Sequence, residues 1–199
     1  MRSRRTDRGG ARPRRVLGGA ARGRSLRGSV AGATRPTSAR VRRAIFDILG
    51  RRILGAEFLD AYAGTGAVGF EALSRGARRV VCIENDPVAV SAMRDSCAAG
   101  LSGDLEIVAA DAVRTLDTLG RSGSRFDVVF LDPPYDDPES GRAIDLAARL
   151  VAPGGILVIE HRRGRRLEPS PAGGLLRGRT YDHGDTALTT FFPSDPDSG

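Results

Sequence analysis

The sequence predicts an α/β domain, a mostly parallel sheet wound with helices on both sides, and three observations predict it. Strand-like and helix-like stretches alternate along residues 57–160, as in a sheet joined by crossover helices. The apolar runs Val80-Val81-Cys82-Ile83, Val128-Val129-Phe130-Leu131 and Ile156-Leu157-Val158-Ile159 lack two-residue alternation, so helices cover both their faces. A glycine-rich string, Gly64-Thr65-Gly66-Ala67-Val68-Gly69, lies where a strand passes into a helix, the position at which such folds approach adenosine-type ligands.

Residues 1–14 are Arg, Gly and Pro with few apolar side chains; they cannot offset their ordering entropy by burial and are expected to be a disordered tail. Val16-Leu17-Gly18-Gly19 and Arg22-Gly23-Arg24-Ser25-Leu26 read as a short hairpin punctuated by glycine, with a loop to Pro36. Thr37 or Ser38 can cap a helix whose apolar positions Val41, Ile45, Ile48 and Leu49 recur at helical spacing, and Gly50 helps end it near Arg51. Arg40, Arg42 and Arg43 fall largely on its other face. Strands are then expected at 57–62, 79–83, 105–109, 126–131 and 156–160, with helices at 67–75, 87–99, 112–119 and 140–150. After Pro169 the segments 175–180 and 187–192 read as a closing hairpin. The expected division is a basic tail (1–14), a basic hairpin and helix (15–52), a catalytic domain (53–193) and a short disordered tail (194–199).

The chain has 199 residues and a net charge of +7, but the charge is divided. Residues 1–52 hold 16 Arg against Asp7 and Asp47, a net of +14, and the remainder carries 15 Arg against 22 acids, a net of −7. The absence of Lys reflects a coding bias, but such a bias acts on both halves alike and does not explain the segregation. A basic arm beside an acidic body points to a polyanionic partner. No apolar run reaches the length of about 18 residues that a spanning helix needs, and the N-terminus is too rich in Arg for a secretory signal. A soluble, cytoplasmic monomer with no membrane partner is expected. Cys82 and Cys97 have neither disulfide nor zinc spacing and read as small buried hydrophobes. His161 and His183 read as surface or turn residues, and no metal is expected.

The glycine string by itself suits a pyrophosphate or a sulfonium amino acid equally. Asp60, at the tip of the preceding strand, separates them: a carboxylate there attracts a ligand ammonium and repels a pyrophosphate. S-adenosylmethionine has that ammonium and NAD does not. Glu84, 18 residues after Gly66, suits the two ribose hydroxyls of either cofactor. Asp86-Pro87 reads as a helix cap as readily as a cofactor contact. Asp111 can accept from an adenine amino group or cap a helix. Ala63, Gly64 and Gly66 of the loop, Asn85 beside Glu84, and Ala112 beside Asp111 complete the expected cofactor contacts.

Asp132-Pro133-Pro134-Tyr135 ends the apolar strand that begins at Phe126. Two prolines stop the strand and donate no backbone hydrogen bonds, leaving their carbonyls as acceptors. The amine of a nucleobase is a poor nucleophile while its lone pair is delocalised into the ring. Asp132 and the Pro133 carbonyl can hold its protons so that the lone pair faces a methyl donor, and Tyr135 offers a face for an extruded base. The chemistry is amine methylation, equally compatible with adenine N6, cytosine N4 or guanine N2. The rivals are an NAD-dependent oxidoreductase, which leaves Asp60 and the Asp132–Tyr135 segment unexplained, and a non-catalytic RNA-binding assembly protein.

Taken together these segments resemble one family, the bacterial 16S rRNA guanine-N2 methyltransferases of the RsmD type. The resemblance runs from Arg15 to Phe192. It rests on Arg15-Val16-Leu17-Gly18-Gly19, Arg22-Gly23-Arg24-Ser25-Leu26, Arg35-Pro36-Thr37 with Arg40-Val41-Arg42, Asp60 to Gly69 with Glu71 to Ala77, Asp132 to Tyr135, and Tyr181 with Gly184 to Leu188. It implies a class I S-adenosylmethionine-dependent methyltransferase fold, a Rossmann-like sheet of seven strands with a C-terminal antiparallel hairpin. It further implies guanine N2 methylation of 16S rRNA, free or in a small ribosomal subunit. Thr37 would then meet the methionine end of the cofactor, while Arg22, Arg24, Arg35, Arg40 and Arg42 face rRNA. Arg162 and Arg163, in a run of arginines after a strand end, suit phosphate contact on the same edge. Ala39 and Arg43 depart from the family, which commonly has acidic residues at both positions.

Overall fold

The computed structural model describes residues 14–27, 38–101, 103–165, 167–170 and 174–194. Arg35 and Thr37, most of the tail expected at 1–14, and all but the first residue of the tail expected at 194–199 lie outside them.

The elements are α1 (Ala39–Leu49), a 3-10 turn (Gly50–Ile53), β1 (Glu57–Asp60), α2 (Ala67–Ser74), β2 (Arg79–Glu84), α3 (Pro87–Ala98) and β3 (Leu105–Ala109). There follow α4 (Ala112–Arg121), β4 (Phe126–Leu131), α5 (Ser140–Ala148), β5 (Val151–Arg162), β6 (Leu175–His183) and β7 (Thr186–Pro193). Caps set the helix starts where the sequence carries them: Ser38 accepts from the Val41 amide, Asp86 from Val88 and Asp111 from Arg114. The seven strands run in the order β3-β2-β1-β4-β5-β7-β6. The first five are parallel, β7 is antiparallel to β5, and β6 is antiparallel to β7. The strand order reverses between β1 and β4, which opens a crevice at the carboxyl ends of the strands.

Each face of the sheet carries its own core. Phe58, Val80, Cys82, Val128, Phe130 and Val158 pack against α1, α2 and α3. Leu59, Val81, Ile83, Val129, Leu131 and Ile159 pack against α4 and α5. This two-sided cover is why the strands read as unbroken apolar runs.

Two element boundaries differ most from the sequence reading. β5 begins at Val151, five residues early, because Pro153-Gly154-Gly155 forms a bulge inside the strand and no turn between elements: Phe126 pairs with Val151, and the ladder resumes at Val128 with Ile156. β6 runs on to His183, so the hairpin turn shrinks to Gly184-Asp185.

The N-terminal segment is not an appendage. Arg15 and Ser25 bridge antiparallel as the hairpin pattern predicts, and Val16 and Leu26 join the same core cluster as α1 and β1. Buried Glu71 of α2 accepts the Leu17 amide at 2.6 Å and pairs with Arg75 at 2.7 Å and with Arg42 at 3.9 Å. Arg42 also donates to the Arg15 carbonyl at 2.6 Å. Only 2% exposed, Arg42 cannot reach rRNA: the hairpin covers the flank of α1 that periodicity alone assigns to solvent. Gly19 sits so close to α2 that an added Cβ would lie 1.7 Å from the Ser74 carbonyl.

Candidate active site

The crevice at the strand-order reversal is a pocket of about 680 Å³. Its walls include Asp60, Tyr62, Ala63, Gly64, Glu84, Asn85, Asp111, Ala112, Asp132, Pro133, Pro134 and Tyr135. Every described residue expected to hold cofactor or to act on substrate lines it except Gly66. That glycine stands directly behind: it starts α2 at φ 74°, and an added Cβ would meet Met93 at 2.9 Å, so the tight turn excludes a side chain. Gly69, one turn on, lets α2 pack on β2; its added Cβ would fall 2.5 Å from Cys82 Sγ.

Asp60 ends β1, 1% exposed, and neither carboxylate oxygen has a hydrogen-bond partner among the described residues. Burial, then the carboxylates of Asp132 and Glu84, push its pKa up to about 8, against the smaller influence of the Gly69 and Tyr62 amides. A buried acid with both oxygens unmatched is costly to keep, and a cationic ligand group in the pocket would relieve it. Glu84 is held in place by three backbone amides, from Gly64 at 2.7 Å, Asn85 at 2.9 Å and Asp86 at 2.8 Å. Asp111 takes both roles its position allows, capping α4 through its Oδ1 while lining the pocket. Asp86 is a helix cap and is not a lining residue.

Beyond β4, Asp132 is half-buried and Pro133 buried. The expectation that both proline carbonyls stay open is corrected at Pro134, whose oxygen accepts the Asp137 amide at 3.1 Å as the loop turns toward α5. Tyr135 is clamped: its hydroxyl lies 3.3 Å from Thr186 Oγ1, and the Arg162 guanidinium stands 5.5 Å from the ring centroid. One ring face is thereby occupied by a cation from the end of β5.

Several wall residues carried no signal in the sequence. Arg14, assigned to the tail, donates to Thr65 at 2.6 Å and lines the pocket, and burial lowers its pKa. The Tyr62 hydroxyl is buried without a hydrogen-bond partner among the described residues. Its pKa is raised by burial and by Asp137, Asp111 and Glu139. Glu160, His183 and Thr186 close the far side. His161, read as a surface residue, is 3% exposed and its Nε2 lies 2.8 Å from Thr189 Oγ1; β7 covers the strand that carries it. Among the RNA-facing candidates, Arg22, Arg24, Arg40, Arg162 and Arg163 are exposed. Arg24 bonds the Gly100 carbonyl, and Arg163 pairs with Asp182 at 3.3 Å.

The family model described as conserved hypothetical protein 95 matches residues 14–191. YlbH of Bacillus subtilis is 31% identical over 180 residues, 89% of this chain and 97% of that one. The Haemophilus influenzae protein named ribosomal RNA small subunit methyltransferase D is 32% identical over 170 residues, 83% and 88% of the two chains. The chain belongs to this RsmD-type family. The solved structure of yhhF from Escherichia coli superposes with a TM-score of 0.77 at 31% identity, covering 89% of this chain and 96% of that one. The fold is that of the class I methyltransferases. Within the RsmD-type chain, the glycine loop, Asp60 and the Asp132–Tyr135 segment thus meet in one crevice. No helix of the described residues is long and apolar enough to cross a membrane.

Proposed function

We propose that this chain uses S-adenosylmethionine to methylate the exocyclic N2 amine of a guanine in small-subunit rRNA. One observation carries the reading. Two carboxylates at the tips of adjacent parallel strands, Asp60 and Asp132, line the crevice at the strand-order reversal closely enough for one to raise the pKa of the other. One suits the cofactor's ammonium and the other the target amine.

When bound, S-adenosylmethionine supplies a methyl group activated by its sulfonium. The residues fit it: Asp60 offers two unmatched carboxylate oxygens, Gly64 and Gly66 let the backbone come close, and Glu84, already oriented by amides, can receive ribose hydroxyls. Asp111 and Ala112 lie on the adenine side. Asp132 and the Pro133 carbonyl accept hydrogen bonds from the two N–H groups of the target amine and leave its lone pair pointed inward. The chain thereby contributes approach geometry, and the proton lost after transfer leaves through Asp132 to water. Tyr135 presents a stacking face that offsets part of the cost of extruding the base, about 1–3 kcal/mol per base. Arg22, Arg24, Arg40, Arg162 and Arg163 neutralise rRNA phosphates.

The assignment of rRNA rests on the name of the Haemophilus influenzae relative and on the +14 charge of residues 1–52. The test is transfer of labelled methyl to small-subunit rRNA from cells lacking the enzyme. N2-methylguanosine is the expected product, and Asp132→Ala should abolish it with S-adenosylmethionine affinity within a few-fold of the parent. Binding of rRNA without any methyl transfer would leave the assembly-protein reading in its place.

A further inference from the structure

Five adjacent strands carry carboxylates at or near their carboxyl ends that line this pocket: Asp111 after β3, Glu84 on β2, Asp60 on β1, Asp132 after β4 and Glu160 two residues before the end of β5. The first three face the cofactor and Asp132 the target amine. Glu160 has no place in that scheme. It is 5% exposed, on the strand one step farther from the cofactor than Asp132. The last β4–β5 ladder pair is Leu131 with Ile159, so Asp132 and Glu160 are neighbours at the next step. On the outer side β7 sets fully buried Leu188 opposite Glu160. An apolar side chain would suit that setting, and a carboxylate there is expensive to bury.

The chemistry of the bases supplies a use for it. A base that presents its amine to Asp132 turns the neighbouring position of its Watson–Crick edge toward the next strand. In guanine that neighbour is N1–H, a donor. In adenine and cytosine the atom beside the amine is a bare ring nitrogen, an acceptor. A carboxylate accepts from the first and repels the other two. We propose that Glu160 receives guanine N1–H and makes this a guanine site, an inference that rests on the guanine reading above and supplies the discrimination the Asp132–Tyr135 segment lacks.

The test first maps the nucleotide that the enzyme methylates, then uses small-subunit rRNA rebuilt with guanosine or the 2-aminopurine ribonucleoside at that position and reassembled with ribosomal proteins. 2-Aminopurine keeps the 2-amino group but replaces N1–H with a lone pair. The intact enzyme is expected to favour guanine by at least about 10-fold. Glu160→Gln, whose amide can donate to that lone pair, should lose about 10- to 100-fold on guanine, the range of one base contact, with S-adenosylmethionine affinity within about twofold. Its guanine-to-2-aminopurine ratio should fall at least about 10-fold. That ratio is internal to each preparation and independent of the fraction folded. An unchanged ratio with N2-methylguanosine as the product overturns the role of Glu160 and leaves the guanine assignment standing. Any other methylated nucleoside from the guanosine substrate overturns both.

Discussion

Burial first, and then the facing carboxylate of Asp132, hold Asp60 protonated up to about pH 8. The two residues stand at the tips of adjacent parallel strands, so the charge that would hold the target amine also sets the ionisation of the group that would hold the cofactor.

A cofactor ammonium favours ionised Asp60. S-adenosylmethionine affinity should therefore rise as pH is raised from about 6 toward 8, with release of a proton on binding. Calorimetric titration in buffers of different ionisation enthalpy measures both. Asp132→Asn removes one of the charges that raise Asp60 and should move the rise to lower pH. An identical pH profile in the variant would show that the two carboxylates are uncoupled.

In the absence of ligand the same group affects stability. Asp60 titrates near 3.8 when unperturbed and near 8 in the fold, so between those values the folded state binds the extra proton. Stability is fully present below about pH 4, falls as pH rises toward 8 and levels off above it, at up to about 1.4 kcal/mol per unit of separation. Urea unfolding at about pH 5 and about pH 8 should show the loss in the parent, and Asp60→Asn should flatten it.

Glu71 is fully buried between Arg42, Arg75 and the Leu17 amide. Glu71→Ala leaves Arg42 buried without its carboxylate and should cost about 3–5 kcal/mol, as breaking a buried pair does. Chemical denaturation gives the magnitude. Hydrogen exchange should quicken at Leu17, Ala20 and Ala21, the residues whose amides bond α2.

Residues 14–27 and α1 supply core side chains, so removing residues 1–52 would expose the sheet. Deleting 1–13 alone, which carry five arginines, leaves the described core intact. The truncated protein should keep its cofactor affinity and bind rRNA more weakly. Its dependence on salt should be shallower by about 0.7–0.9 in log–log slope for each phosphate that the tail neutralises. Equal salt slopes would remove the tail from the RNA interface.

Tyr135→Phe keeps the ring and loses the bond to Thr186, so methyl transfer should change by only a few-fold. Tyr135→Ala removes the stacking face and should cost about 5- to 150-fold in turnover. Comparable losses in the two variants would mean that the hydroxyl, and not the ring, matters.

The glycine loop, Asp60, Glu84 and the Asp132–Tyr135 segment were legible in the sequence because each is punctuated locally: a glycine turn, a strand tip, a pair of prolines. The alternation of elements was legible for the same reason, since periodicity and caps are properties of contiguous residues. Arg42 and His161 were misplaced because periodicity says which residues share a face and is silent on what covers the other one. The hairpin covers the first and β7 the second. The start of β5 was missed because Pro153-Gly154-Gly155 has the composition of a turn while it forms a bulge between two paired stretches of one strand.

By itself, then, the sequence determined the wound sheet, the glycine loop and the Asp132–Tyr135 strand end, all encoded in short runs whose conformations depend on neighbours in the chain. Only the tertiary structure decided that Arg14 reaches Thr65, that Glu71 fastens the hairpin, that Arg162 covers Tyr135 and that Glu160 stands beside Asp132. Those relationships join residues 27 to 54 positions apart. They follow from strand order and register, which packing fixes and local pattern does not encode.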